Sequence, residues 1–290
     1  MKRNKQDDEI YILGSELQNK RGKITVKSKW IALAIGFAVL LLTAIIVLFF
    51  FQDKGKNIDY YFEPEESLPQ SITIETPNLE NIDEKGYIET QEETANSVSL
   101  LIHIPHHATM SLTLGMPDKS DSTIIFATQA ADIRADNKRI VGEFVLEGRQ
   151  IARGVAKRGF CAVIDNTISI GMGDNTPLLQ QAIDNNGFFF RQYPLVHNGA
   201  LIENNPQNSS IRRALAVRNE QIIMIESQHN ATFQEFSQAL VEIGISDALY
   251  LVGGRNTCGW YYTKDSVRHE FGSELSNLPP YTSFIIWRTK

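Results

Sequence analysis

The spacing of apolar residues divides the chain into four parts. From Trp30 to Phe51 the run WIALAIGFAVLLLTAIIVLFFF holds 22 residues and no charge. At about 1.5 Å rise per residue a helix of that length covers about 30 Å, the hydrocarbon thickness of a bilayer. The pattern therefore predicts a transmembrane helix over 30–51, with a tail of residues 1–29 before it. From 52 to 96 the apolar residues thin out among Glu63, Glu65, Glu66, Asp83, Glu84, Glu89, Glu92 and Glu93, interrupted by Pro64, Pro69 and Pro77. That composition predicts an acidic stalk, although a run such as Ser71–Ile74 can dock as an edge strand.

Regular patterning resumes at Ser97 and predicts a folded domain over 97–290. Apolar or alternating runs at Val98–Ile104, Met110–Leu114 and Thr123–Ala127 read as strands separated by Pro and Gly turns. Ile140–Leu146 and Gln150–Val155 flank Glu147-Gly148-Arg149, a connection suited to a hairpin. Further strands are expected at Phe160–Ile164, Thr167–Ile170, Gly187–Phe190, Ala214–Val217, Gln221–Ile225 and Asp247–Val252. Two helices carry start and stop signals. One follows Thr176, with Pro177 in its first turn and Asn186-Gly187 at its end. The other opens on the capping box Thr232-Phe-Gln-Glu235, shows the stripe Phe233, Phe236, Leu240 and Ile243, and stops at Gly244. The fold class expected is α+β: a β-rich domain with a mixed sheet and two main helices, preceded by one transmembrane helix.

Charge sets the orientation. Lys2, Arg3, Lys5, Lys20, Arg21, Lys23, Lys27 and Lys29 precede the apolar run, and only Lys54 and Lys56 follow it closely. The excess of positive charge stays in the cytoplasm, which places the C-terminal domain in a periplasm or outside the cell. The run is longer than the core of a signal peptide, and FFFQDKGK lacks the small residues of a cleavage site, so the segment reads as an uncleaved anchor in the lipid bilayer. A net charge of −6 and a pI near 5.6 argue against nucleic acid as a partner.

Cys161 and Cys258 are too few for a disulfide scaffold and lack zinc-site spacing; they are either bridged to each other or two separate buried thiols. His106-His107 would point to opposite faces of a strand, and His103 is no better placed. No metal site and no cofactor are expected.

Polar residues cluster at four ends of apolar strands: Arg191 after Phe188–Phe190, His197-Asn198-Gly199 after Val196, Arg212-Arg213 before Ala214, and Gly253-Gly254-Arg255-Asn256 after Val252. Guanidinium forks, backbone N–H groups and an imidazole make a set suited to a phosphate or carboxylate. The same residues also fit a plainer role, with arginines pairing surface acids and glycines turning the chain.

The final 150 residues or so resemble the phosphodiester glycosidase family. Three stretches carry the resemblance: Ile211-Arg-Arg-Ala-Leu-Ala216, the capped helix with its Ile-Gly ending, and Ala248-Leu-Tyr-Leu-Val-Gly-Gly254. Ala130–Gly142 and Gly159–Arg191 are similar to a membrane-anchored bacterial branch. The resemblance implies hydrolysis of a sugar–phosphate bond in a phosphodiester, with cationic donors on the phosphate and a carboxylate near the anomeric carbon. Arg212 takes the position of the family arginine. Val252 stands where the family motif has aspartate, and Arg255 and Asn256 replace its following glycine and serine. A substitute carboxylate is sought first at Asp132, just after a strand, then at Glu203 or Asp247, with His197 as a candidate imidazole. Asp247 is separated from the glycine turn by a whole strand.

The expected ligand is a sugar phosphodiester or anionic glycan, with Arg191, Asn198, Arg212, Arg213, Gly253, Gly254, Arg255 and Asn256 as binding residues and Asp132 and His197 as catalytic candidates. Two rivals stand beside it: a non-catalytic module that holds an anionic glycan or partner protein through Arg191, Arg212 and Arg255, and a structural envelope protein without a ligand.

Overall fold

Strand pairing begins well before the regular alternation does. The structure, a computed structural model, describes residues 70–290 apart from 205, 256 and 274–277. The expected tail, the apolar run 30–51 and the first part of the stalk lie outside the described residues. β1 (Gln70–Glu75) pairs with β9 (Thr167–Met172), so Ser71–Ile74 docks as an edge strand. β2 (Tyr87–Ala95) pairs along its whole length with β3 (Val98–His106). β2 buries Ile88 and Ala95 and turns Glu89 and Glu92 to solvent. Charged residues suit the exposed edge of a sheet, and they give this strand the composition of a linker.

Three sheets form the fold of the described residues. The first runs β1, β9, β8 (Gly159–Ile164), β10 (Phe188–Gln192), β6 (Phe144–Leu146) and β7 (Arg149–Ala152). The second runs β12 (Ala200–Leu201), β11 (Pro194–His197), β15 (Asp247–Leu251), β13 (Arg213–Arg218), β14 (Gln221–Ser227), β3 and β2. The third runs β17 (Arg268–Phe271), β16 (Gly259–Tyr262), β5 (Ile124–Gln129), β18 (Ser283–Arg288) and β4 (Thr109–Leu114).

One core joins all three sheets: Phe126 and Trp287 from the third meet Phe144, Ile170 and Phe190 from the first and Leu215, Met224 and Leu249 from the second. Alternation along β13 sends Leu215 and Val217 into this core and Ala214 and Ala216 to the opposite face. There they pack on Phe236 and Leu240 of α2 (Phe233–Glu242). The capping box of α2 forms as its residues dictate: Thr232 Oγ1 accepts the Glu235 N–H at 3.1 Å, and Glu235 Oε2 accepts the Thr232 N–H at 2.8 Å. α1 (Pro177–Asp184), capped by Thr176, packs Ala182 against Phe160 and Phe189 on the outer face of the first sheet.

The expected α+β class with a mixed sheet is overturned. Every strand pairing among the described residues is antiparallel, and the two helices have only 8 and 10 residues, so the fold is β-rich. The order β14–α2–β15 has the look of a parallel crossover, and the two strands do point the same way. β13 lies between them, however, antiparallel to both. No helix among the described residues is long and apolar enough to cross a membrane, and the run 30–51, where the transmembrane helix is expected, lies outside them. Cys161 and Cys258 are buried and form no disulfide, the first in the central core and the second beside Trp260 in another cluster.

Candidate functional site

Strand ends from all three sheets converge on Ala130, the residue after β5. Its carbonyl accepts the N–H of Val252, at the end of β15, at 3.2 Å. It also accepts Nε2 of Gln192, at the end of β10, at 3.4 Å. Ala130 and Ala131 are buried, and the chain then brings Asp132 to the surface with its side chain 32% exposed. The Asp132 carbonyl accepts the Val141 N–H at 2.8 Å, which ties the base of the 132–141 loop.

Lys157 comes to this carboxylate from the loop before β8. Its Nζ donates to Asp132 Oδ2 and, at 2.6 Å, to Gln192 Oε1, and it lies 4.4 Å from the centroid of the Tyr193 ring. Gln192 is fully buried, and its Oε1 also accepts the Tyr193 N–H at 3.0 Å. Burial pulls the Lys157 pKa below the usual lysine range; the Asp132 charge and hydrogen bond work against that pull. Lys157 thus fixes one carboxylate oxygen, and no side chain among the described residues engages Oδ1.

Tyr250 and Arg212 complete the site. The Tyr250 hydroxyl oxygen accepts the Gly253 N–H at 3.0 Å. Burial raises its pKa above the ordinary phenol value and the nearby Asp132 charge adds to the rise, while the Gly253 N–H and the Arg212 guanidinium oppose it. Arg212 Nε donates to the Ala231 carbonyl at 2.9 Å and Nη2 to the Asn208 carbonyl, and the guanidinium lies 4.3 Å from the Phe233 ring centroid. Two of its donors hold backbone carbonyls before β13 and after β14, and the guanidinium supplies positive potential to the site.

The other residues singled out by sequence go to different places. Gly253 is required by a close approach of backbone: a Cβ there would collide with the Ile211 carbonyl oxygen. Gly254 has φ +108°. Arg255 is exposed beyond this turn, and Asn256 lies outside the described residues. Arg191 is buried, with Nε on Glu143 Oε2 at 2.5 Å, Nη1 on the carbonyls of Gly173 at 2.7 Å and Lys157 at 3.4 Å, and Nη2 on the Asp174 carbonyl at 2.7 Å. It holds the loop carrying Lys157 and has no fork left for a ligand. Arg213 faces away from Arg212, toward Glu226, Thr257 and the Phe271 ring.

His197 and Asn198 sit at the other end of the second sheet. His197 Nδ1 bonds Asp247 Oδ1 at 2.8 Å, and the Asn198 N–H donates to the same oxygen at 3.4 Å. Asp247 and Val252 are five steps apart along the strand, about 16 Å at about 3.3 Å rise per residue. Glu203 is exposed in the loop after β12. Asp132, Arg212 and the glycine turn therefore share one site, and His197 does not join it.

Sequence reasoning passed over Lys157, Gln192 and Tyr250. Lys157 sits just beyond the expected strand Gln150–Val155, in Ala156-Lys157-Arg158, which has the composition of a solvated loop, and Gln192 follows the more conspicuous Arg191. Period-two alternation gives the available signal: if Arg191 faces one side of β10, Gln192 faces the other. No grouping of His, Cys, Asp and Glu among the described residues could hold a metal ion.

No protein-family model and no curated protein matches the chain. Among solved structures it is similar to the catalytic domain of zebrafish N-acetylglucosamine-1-phosphodiester alpha-N-acetylglucosaminidase, auto-inhibited by its pro-peptide. The TM-score is 0.51 at 11% identity, over 76% of this chain and 88% of that one. It is also similar to a hypothetical protein from Synechocystis, with a TM-score of 0.49 at 13% identity, over 77% and 64% of the two chains. The first likeness shows a distant relationship of fold to that glycosidase domain.

Proposed function

We propose that this protein is a membrane-anchored hydrolase of sugar phosphodiesters whose working carboxylate is Asp132. One observation carries the reading: a partly exposed carboxylate, held through Oδ2 by the buried Lys157, stands where strand ends from three sheets meet. The fold likeness to a sugar-phosphodiester glycosidase domain supports the choice of substrate.

Hydrolysis at such a site begins with water beside Asp132 Oδ1. The carboxylate takes a proton as the water oxygen bonds to the anomeric carbon, and the C–O bond to phosphorus-bound oxygen breaks with its electron pair leaving on the phosphate. A phosphate monoester is a weak base, so its departure does not require a second carboxyl as general acid. Lys157 holds Asp132 in one orientation, and Gln192 holds Lys157. The buried Arg212 and the Tyr250 hydroxyl place positive potential and a polar edge beside the carboxylate.

The length of the apolar run 30–51 and the basic residues before it support a domain on the outer side of a bilayer with residues 1–29 in the cytoplasm. Protease added outside sealed vesicles should then digest the domain and spare the tail.

A second reading is a binding module that keeps the fold without turnover. Val252, at the family's aspartate position, favours it, since valine cannot act as nucleophile or base. The deciding experiment follows release of sugar or phosphate from a panel of sugar phosphodiesters by the full chain in vesicles. Loss of turnover by at least 100-fold in Asp132→Asn, with unchanged melting, establishes the hydrolase. Saturable binding with no turnover in the wild type establishes the module.

A further inference from the structure

A groove of about 680 Å3 opens between the 134–142 loop on one side and β7 with residues 153–156 on the other. That volume falls within the roughly 300–1,000 Å3 of ligand sites. Its lining includes Ala156, next to Lys157 in the chain, and Val141, whose N–H holds the Asp132 carbonyl, so it adjoins the Asp132–Lys157 site.

Its chemistry is one-sided. Arg134, Arg139 and Arg153 line it and no aspartate or glutamate does, on a chain whose net charge is −6. Arg134 bonds Asp136, at 3.1 and 3.3 Å, outside the lining. Arg139 and Arg153 are exposed, and neither guanidinium meets a carboxylate among the described residues. A cationic groove on an acidic protein concentrates anions. It is not a bare patch of charge, however. Tyr281, 37% exposed, offers an aromatic face at the wall, and Asn137 and Gln150 offer amides. Guanidinium forks suit phosphates, amides suit hydroxyls, and an aromatic ring suits the apolar face of a sugar.

We propose that this groove binds a polymeric sugar phosphodiester: successive phosphates lie on Arg139 and Arg153 and an intervening sugar packs on Tyr281. The choice of ligand rests on the hydrolase reading of the adjoining site. The groove would hold the chain on which Asp132 acts, making polymers better ligands than single sugar phosphodiesters.

The test measures binding to the full chain in detergent, without turnover as a readout. The probes are a synthetic chain of several sugar-phosphate repeats, its single-repeat unit, and inorganic polyphosphate of matched charge. The polymer should bind at least tenfold more tightly than the single repeat. Arg139→Ala with Arg153→Ala should abolish that preference; both side chains are exposed, and an unchanged melting temperature verifies the fold. Tyr281→Ala should weaken the polymer about tenfold and leave polyphosphate unaffected. Equal polymer binding by wild type and double variant overturns the proposal. So does a Tyr281→Ala variant that binds the polymer as the wild type does, which would leave only a charged patch. Polymer preference with no turnover of any compound defeats the hydrolase reading and leaves the groove standing; turnover lost in Asp132→Asn beside an indifferent double variant does the reverse.

Discussion

Lys157 and Asp132 reach each other from loops 25 residues apart, and the ammonium donates to the carboxylate while Gln192 accepts from its other side. An ion pair with one buried and one partly exposed member holds a carboxylate in a fixed orientation and leaves it open to a ligand. Replacing Lys157 by Met should reduce turnover about 100-fold with a modest change in melting, because it frees Asp132 to rotate.

The same lysine gives a pH signature with two opposite signs. Its folded pKa lies below its unfolded value, so between the two the unfolded chain binds more protons and stability rises with pH. Activity should fall over that window as the ammonium holding Asp132 loses its charge. Parallel profiles of melting temperature and kcat/KM check this, and both trends should vanish in Lys157→Met. A wild-type stability that falls through the window would contradict burial as the dominant influence on this lysine.

Arg191 should prove structural. Removing its buried guanidinium as Arg191→Met strands Glu143 and three carbonyls, at a cost of about 3–5 kcal/mol. Arg191→Lys should not restore stability, since one ammonium cannot span four acceptors on separate segments. Denaturant unfolding of the two variants measures the difference.

His103 should dominate acid sensitivity of the core. It is buried beside Phe126 and Tyr261, with Nδ1 unpartnered, and burial, helped by the Arg213 charge, lowers its pKa to about 3 from the usual 6.5. Below pH 6.5 the unfolded chain takes up a proton the folded chain refuses, so stability falls by about 1.4 kcal/mol per pH unit toward pH 3. His103→Phe should remove that slope in unfolding curves at pH 7, 5 and 4.

Gly253 and Gly254 should differ in how they fail. Gly253→Ala drives a Cβ into the Ile211 carbonyl and displaces the approach to β13, costing about 1–3 kcal/mol and weakening the Tyr250 contact. Gly254→Ala meets only the Ser210 hydroxyl at 3.5 Å, so its cost is backbone strain of about 1–3 kcal/mol from φ +108°. Crossing each with Tyr250→Phe separates them: the Gly253 effect should couple to Tyr250 and the Gly254 effect should not.

Local chemistry made much of the fold readable. Thr232 and Glu235 define a helix start within four residues, and the capping box follows from them alone. Leu215 and Val217 against Ala214 and Ala216 show a strand buried on both faces, which a run of apolar residues announces. β2 was not readable, because its glutamates satisfy the rule for a solvated linker as well as the rule for a sheet edge. The antiparallel order was hidden for another reason: β13 slots between β14 and β15 through long-range pairing that no local pattern encodes.

The sequence by itself determined the apolar run over 30–51, the positions of the two capped helices, most strands of the domain and the shortlist holding Asp132 and Arg212. These depend on periodicity, capping and charge within a few neighbouring residues. Tertiary structure decided which of them meet. It joined Asp132 to Lys157, Gln192 and Tyr250, spent the forks of Arg191 and Arg213 inside the protein, and put His197 a strand's length away. The physical reason is that a charged side chain has the same identity in solvent and in a core. Only the packing of separate sheets sets whether its donors face water, a backbone carbonyl or another residue's carboxylate.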